Sequence, residues 1–415
     1  MALWTVHGDG RATASGSVAP GERLSWPLTV GFGAQHLAAM IGATILVPAA
    51  TGLPVTTTLL FSGIGTLLFL VVTRNRVPGY LGASFAFIAP LAAVRGEGIP
   101  AQLGGVVAAG LLVVIIGIAV KALGVRLLES VMPPVVTGAV ILLIGLNLSH
   151  TATVSFAQQP MLAVVTAGVV VVCGVVGRAM WFRFSVVIGI VVGWLLGAAL
   201  GVLDTRGIDR AAWFGLPELH TPELRPSVTL VVLPVVLVLV TETVGHVKAV
   251  AALTGGNLDG NVGDSIIATG LSTTFAGLAG GAGTSTTSQN VGVMGATRVY
   301  STASYAVTGL AAVLLSFSPK VVAVFGTVPP GVLGGATVIL FGVLALVGVR
   351  VWLDHRIDLT NPANLLVVGT AVVVGVGDLT LEIGALRIGG LVWGSLLVVV
   401  LYPVVRGLRV SGSRG

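Results

Sequence analysis

Charge is what this chain has least of. Asp, Glu, Lys and Arg make up 9% of its 415 residues, against 55% hydrophobic residues. Soluble domains carry about 25% charged residues. A soluble globular fold is therefore excluded, and a polytopic membrane protein is implied. Cysteine is nearly absent as well. The single Cys173 rules out an internal disulfide, and its apolar surroundings make it a small packing residue. There is also no basic run. Lys and Arg stand singly or in pairs between apolar segments, so the net charge of +6 points to membrane topology and not to nucleic acid. The first 25 residues hold no apolar core of the signal-peptide kind, so the N-terminus is expected to be retained.

Long apolar runs are abundant, and the 59 glycines lie within them. Small residues let helices approach closely in lipid. At about 20 residues per crossing, the clear candidates are 27–49, 55–73, 101–121, 133–148, 161–177, 184–203, 227–248, 303–317, 331–349, 363–377 and 388–405. Three stretches are irregular: 79–94 is broken by Gly79, Gly82 and Pro90, 262–282 is rich in Gly, Ser and Thr, and 284–297 is mostly polar. Together these predict an all-α protein of 14 segments with both termini on one side. With the termini in the cytoplasm, 15 of the 21 Lys and Arg residues fall inside, as the positive-inside rule requires. The longest outside connection, 204–225, mixes both signs and reads as a simple solvated link.

Two internal echoes divide the chain. Pro133-Pro134 followed by Gly138 recurs as Pro329-Pro330 followed by Gly334, and Ile188-Gly189 with Trp194 recurs as Ile388-Gly389 with Trp393. They predict two halves of seven segments. Seven is odd, so the second half would be inverted, as in many transporters. The broken stretches 79–94 and 284–297 occupy matching places in the two halves. Such breaks survive at membrane depth only where protein or a water-filled cavity satisfies the backbone. Residues 83–87 and 285–289 are therefore expected to be short extended pieces facing each other.

Glu242 is the acidic residue stranded inside an apolar run, 230–247, with His246 one helical turn later on the same face. An ionisable group at that depth costs roughly 2.5–3.5 kcal/mol on insertion scales and marks a functional site by default. The pair reads as a proton site beside a buried ligand. Three more clusters stand out: Gln35-His36 with Ala43 and Thr44, then Gly82-Ala83-Ser84-Phe85-Ala86-Phe87, then Ser288-Gln289-Asn290-Val291-Gly292 with Thr297 and Arg298. On the plainer reading His36 is a packing histidine, Phe87 is core and Asn290 holds local backbone. Arg298 is then a topology charge, while Asp264 and Asp378 are solvated residues at segment ends.

The last cluster resembles the signature of the nucleobase–ascorbate transporter family, the uracil–xanthine permeases. That signature is Gln, Glu or Pro, then Asn-x-Gly, four residues, Thr, and usually Arg, Lys or Gly. Gln289-Asn290-Val291-Gly292, Thr297 and Arg298 match it throughout. Gln35-His36 and Ser84-Phe85-Ala86-Phe87 are similar to the family too, and the likeness runs from about residue 24 to 407.

The resemblance implies a core domain over 26–125 and 226–320 and a gate domain over 126–205 and 321–407. Tails at 1–25 and 408–415 and a loop at 206–225 complete the chain. By the same resemblance Glu242 and Gln289 hydrogen-bond the base and Phe85 stacks on it. Ser84 and the backbone around Ala43 and Ser288 line the pocket, and Phe341 is the gate aromatic. Asn290, Gly292, Thr297, Gln35 and His36 support the motif. The implied partners are a small nucleobase, the lipid bilayer and a second copy of the chain.

The chemistry of these residues fits flat, neutral rings with alternating donors and acceptors. A carboxylate accepts from N–H groups, and a Gln amide pairs with an adjacent C=O/N–H edge. No second intramembrane carboxylate offers a sodium cage, so no metal or cofactor is expected, and Glu242 with His246 is the expected proton-coupling site. Some uracil carriers of the family have Glu where this chain has Gln289, which looks like the xanthine and uric-acid carriers. Glu242-x-x-Gly245-His246 looks like the uracil type. The expected function is a nucleobase:proton symporter of the cell membrane, with uracil or a related pyrimidine preferred to purines. The alternatives are a sulfate or bicarbonate transporter of the same architecture, and a channel or receptor.

Overall fold

The computed structural model describes residues 3–10, 16–124, 133–176, 179–377, 379, 381–383, 386–388 and 390–412. Helices dominate. The first are α1 (Trp26–Ala39), α2 (Ile41–Thr51), α3 (Val55–Val72), α4 (Ile88–Ala93), α5 (Ile99–Leu123), α6 (Pro134–Gln158), α7 (Pro160–Val176), α8 (Ala179–Ala199) and α9 (Arg206–Arg210). There follow α10 (Pro226–Val232), α11 (Val235–Thr254), α12 (Asp259–Ala279), α13 (Ser288–Thr297), α14 (Thr302–Ser316), α15 (Pro319–Gly326), α16 (Pro330–Asp354), α17 (Pro362–Val376) and α18 (Gly390–Gly412). Short strands pair two by two: β1 (Thr5–Val6) with β2 (Glu22–Arg23), β3 (Leu81–Ala83) with β4 (Thr284–Thr286), and β5 (Leu381–Ile383) with β6 (Leu386–Ile388).

Local chemistry sets many of these boundaries. Proline sits in the first turn of α1, α5, α6, α10, α16 and α17, where an N–H would lack a partner anyway. Left-handed Gly52, Gly255 and Gly280 end α2, α11 and α12. Among the described residues, Val55–Val72, Ile99–Leu123, Pro226–Thr254 and Pro330–Asp354 are long and apolar enough to cross a membrane.

The helices pack as two groups. In one, α14, α3, α12 and α5 form a row, with α1, α10 and α11 against it; in the other, α6, α7, α8, α16, α17 and α18 pack together. Glycine makes the closest approaches possible. A Cβ at Gly110 would lie 2.9 Å from the Gly270 carbonyl oxygen, and one at Gly270 would lie 2.8 Å from that of Gly110. There α5 and α12 touch backbone to backbone, and Gly138 and Gly348 do the same for α6 and α16.

Several sequence expectations are corrected. The run 27–49 is two helices. The Met40 N–H turns back to the Leu37 carbonyl, a tightened last turn that brings Met40 against Gly82 of β3. The run 227–248 lies within one candidate span, Pro226–Thr254, but its helix is interrupted at Leu233 and Pro234, where proline cannot continue the ladder. Helix α18 begins at Gly390, and Ile388 belongs to β6. The link 204–225 is not a simple solvated connection; its backbone bonds to the ends of several helices. Asp264 is not free in solvent, since its Oδ1 lies 2.6 Å from Lys121 Nζ. Asp378 lies outside the described residues.

The two central breaks do meet. Strands β3 and β4 are antiparallel, with Gly82 opposite Ser285, so the extended pieces begin earlier than the sequence indicated. Phe85–Phe87 closes into a 3-10 turn whose Ala86 N–H donates to Ser84 Oγ, and Ser288 already opens α13. Hydroxyls on the flanking helices satisfy the remaining backbone groups. Leu81 N–H donates to Thr66 Oγ1 at 2.9 Å, Ala282 N–H to Thr58 Oγ1 at 3.1 Å, and Thr284 N–H to Thr273 Oγ1 at 3.2 Å. This explains the many Thr and Ser residues on the buried faces of α3 and α12.

The polar N-terminal segment is folded as well. Val18 bridges Val299, the Ser301 hydroxyl donates to the Glu22 carbonyl, and Trp4 Nε1 donates to Thr302 Oγ1 at 2.7 Å. It thereby covers the junction between α13 and α14.

Candidate functional site

Helix α11 carries Glu242 and His246 on adjacent turns beside the strand crossing. Most of that face is buried, including Leu239, Thr243, His246 and Val250. The Ser84 and Ser285 hydroxyls, the first just after β3 and the second inside β4, face the Glu242 carboxyl. Its Oε2 is shut off from solvent and has no partner. No ion pair among the described residues involves it.

His246 does not pair with Glu242. Its Nε2 donates to the Pro78 carbonyl at 2.9 Å, so Nε2 carries a proton, and the buried Nδ1 is left without a partner. The Phe69 ring meets the imidazole edge-on at 6.4 Å. Gly79 is needed here, because a Cβ would come within 2.7 Å of His246 Nε2.

A cavity of about 280 Å³ opens beside this pair. Val238, Thr241, Glu242, Gly245, His246 and Ala249 of α11 form one wall, Thr286 and Val291 a second, and Ile141 of α6 with Val351 of α16 a third. The site thus lies between the two helix groups. Its size is near the lower end of the roughly 300–1,000 Å³ of small-molecule sites. The lining is mostly apolar, and three of its polar residues, Glu242, His246 and Thr286, each hold a buried side-chain atom without a partner. Buried polar groups are nearly always paired, so Glu242 Oε2 and His246 Nδ1 mark a place for a polar ligand. Among the described residues, no group of three His, Cys, Asp or Glu side chains could hold a metal ion.

The structure separates the other predicted residues. Ser84 joins Glu242. Phe85 is half-buried at the start of the 3-10 turn, and Ala43 and Phe341 are buried in α2 and α16. Among the described residues these three do not line the cavity. The side chains of Ser288 and Gln289 lie outside the described residues, and Gly292 contributes only backbone to α13. Thr297 caps the end of α13: its Oγ1 donates to the Val293 carbonyl at 2.9 Å and accepts from Val299 N–H at 3.3 Å. Gln35 is half-buried on α1.

His36 and Asn290 form a second, fully buried knot. His36 Nδ1 lies 2.9 Å from Asn290 Oδ1, and its ring packs on Tyr305 at 4.2 Å. Asn290 Nδ2 donates to Thr287 Oγ1 at 2.9 Å. Asn290 therefore does more than hold local backbone: it ties α1 to the start of α13. Sequence reasoning missed Thr241, Ile141 and Val351, which carry no distinguishing pattern, and missed Pro78 as the partner of His246. It did place Ser285 and Thr286 in the second break.

Known proteins share this architecture. The transmembrane domain of the cyanobacterial bicarbonate transporter BicA superposes with a TM-score of 0.57 at 17% identity, covering 84% of this chain and 94% of that one. SLC26A9 gives 0.67 at 11% identity over 92% of this chain, which spans 66% of the SLC26A9 chain. Identities so low establish the fold alone: a helical membrane-transporter fold. Sequence relatives are closer. The provisionally named pyrimidine permease RutG of Escherichia coli (strain K12) is 41% identical over 397 residues, covering 92% of this chain and 90% of its own. The uracil permease of the same strain is 34% identical over 402 residues, 94% of each chain, and that of Bacillus caldolyticus is 35% identical over 392 residues, 90% and 91%. The family model Xan_ur_permease, described as "Permease family", matches residues 28–384. This chain therefore belongs to that permease family, the nucleobase–ascorbate transporters, and is a multi-pass membrane transporter and not an enzyme.

Proposed function

We propose that this chain imports uracil or a related pyrimidine together with a proton, by alternating access. One observation carries the reading: Glu242 and His246 line one small, largely apolar cavity, and each holds a buried polar atom, Oε2 and Nδ1, without a partner. The Glu242 carboxyl accepts from ring N–H groups, and Gln289 pairs with an adjacent C=O/N–H edge. A site whose polar groups need such an edge rejects rings that lack it. The contribution of Phe85, Ser288 and the backbone around Ala43, and of Phe341 as gate, rests on the family resemblance. The names of the sequence relatives favour a pyrimidine over purine or anion cargo.

Coupling rests on the same carboxylate. An unpaired charge at membrane depth is costly, so the empty carrier reorients with Glu242 protonated. The two helix groups serve as core and gate, because the cavity takes one wall from α11 and the opposite wall from α6 and α16. Two inverted repeats of seven segments are supported by the packing of α3 on α14 and of α5 on α12, which such a repeat would exchange. The charge bias supports cytoplasmic termini.

The test is uptake of labelled uracil into proteoliposomes under an imposed pH gradient, with xanthine, thymine, uric acid and sulfate as competitors. Accumulation that thymine or unlabelled uracil suppresses, with inward proton movement, is the expected result. Uptake indifferent to a collapsed gradient would sink the coupling. Competition by sulfate but not by any base would sink the cargo.

A further inference from the structure

The segment after α9 is a strap. Its backbone bonds, in chain order, to the ends of the helices it passes. The Ala212 carbonyl accepts from Lys320 N–H at 3.1 Å, and Gly215 N–H donates to the Phe317 carbonyl at 3.0 Å, just beyond α14. The Glu218 carbonyl accepts from the Thr57 hydroxyl at the start of α3. His220 N–H donates to the Ala279 carbonyl at the end of α12, at 3.1 Å, and Glu223 N–H to the Pro100 carbonyl at the start of α5, at 2.8 Å. A Cβ on Gly104 of α5 would land on the Glu223 carbonyl, so the strap lies directly on that helix. Arg225 then locks the end, with Glu97 at 2.8 Å and Glu223 at 2.9 Å. The order α14, α3, α12, α5 is the order of the row beneath.

Between these bonded positions the side chains point away. Trp213 is 69% exposed, Phe214 85%, Leu216 85%, Leu219 65% and Leu224 70%. Directly below, near the same ends of their helices, Leu278 of α12 and Leu310 and Leu314 of α14 are exposed too. In a membrane protein those helix flanks face lipid, and the apolar surface of the strap continues them. Lys320 Nζ sits 5.0 Å from the Trp213 ring, a cation beside an amphipathic aromatic, as at membrane–water boundaries.

We propose that 211–225 is a membrane-interface anchor. Its backbone clips the four-helix row, and its apolar side chains enter the boundary between lipid headgroups and acyl chains. The anchor sets the depth of that row in the bilayer. It rests on the membrane fold and not on the identity of the cargo.

The test uses the full chain in phosphatidylcholine vesicles, with Cys173→Ser as background and an environment-sensitive fluorophore on Leu216→Cys or Phe214→Cys. Asp209→Cys on α9 is the solvent control. The expected result is at least threefold stronger quenching at 214 and 216 by lipids with a nitroxide near the headgroup than by aqueous iodide, and the reverse at 209. Iodide quenching at 216 equal to that at 209 would overturn the proposal, since the strap would be solvated. So would shielding from both quenchers that persists in detergent and grows with protein concentration, which would mean that a second copy covers it.

Discussion

The two breaks that cross beside Glu242 are paired as strands yet built from opposite materials. Strand Leu81–Ala83 leads into Phe85-Ala86-Phe87 and the apolar α4, with Ser84 as its polar side chain. Strand Thr284–Thr286 carries a hydroxyl at every position and leads into the polar start of α13. The first break supplies shape: the Phe87 ring is fully buried against Gly283, where a Cβ would overlap it. The second supplies hydrogen-bonding groups, some bonded to the flanking helices and one, the Thr286 hydroxyl, left unpaired at a residue that lines the cavity. Two irregular segments can therefore sit at membrane depth for different reasons. One is filled by packing, and the other is satisfied by side-chain hydroxyls.

Substitutions can break that division of labour. The largest effect is expected at the carboxylate where both breaks converge. Glu242→Gln keeps the shape but loses the ionisable group, and labelled uracil uptake should fall at least ~100-fold with unchanged thermal stability; a gain or loss of about 1.36 kcal/mol is tenfold. Retained uptake would show that neither break serves this group. Next comes Asn290→Ala, which leaves His36 Nδ1 buried without a partner, while the Thr287 hydroxyl keeps only its bond to the Tyr80 carbonyl. At about 1–3 kcal/mol for the orphaned group, a clear drop in the thermal midpoint in detergent is expected. No drop would mean that the second break does not depend on the knot.

Gly283→Ala tests the packed side. The added methyl must displace the Phe87 ring, and overpacking of this kind costs about 1–3 kcal/mol. Thr66→Val tests whether the packed break also needs a hydroxyl. It strips the acceptor from Leu81 N–H, worth about 1–3 kcal/mol if no water replaces it. A midpoint equal to that of the unmodified chain would mean the first break stands by packing alone.

The smallest effect concerns the cover over the end of the second break. Glu22 accepts from Ala19 N–H and lies 2.8 Å from His7, and the backbone bond first, then His7, holds its carboxyl below the usual range. A lowered folded value means the contact stabilises the cover above the ordinary carboxylate range and is lost as pH falls through the lowered value. For a partly exposed group this is worth about 0–1 kcal/mol. Hydrogen-exchange protection at Val18 and Tyr300, whose amides join the cover to 298–302, should fall modestly on acidification once the intrinsic rate is divided out, and Glu22→Gln should remove that dependence.

Much of this was legible in residues close together along the chain. Glu242 and His246 share a helix face because four residues make about one turn. Both breaks were visible from Gly, Ser and Thr placement, although their strands begin at Leu81 and Thr284, not at Ala83 and Ser285. Partners distant in sequence were not legible. His246 looked like the mate of Glu242 but donates to Pro78, 168 residues away. His36 is the packing histidine the sequence suggested, but its partner Asn290, 254 residues away, was not legible. The strap looked solvated because its mixed charges hid a backbone committed to helix ends.

The sequence by itself determined that this chain lives in lipid, where the two central breaks fall and where its stranded acid lies. Those properties follow from solvation and backbone sterics, which act residue by residue. Only the folded arrangement decided which hydroxyl serves which amide, which wall Ile141 and Val351 complete, and which cavity-lining residues keep an unsatisfied polar atom. The reason is geometric. A hydrogen bond is decided within tenths of an ångström, and that precision between distant segments comes from the close packing of helix faces.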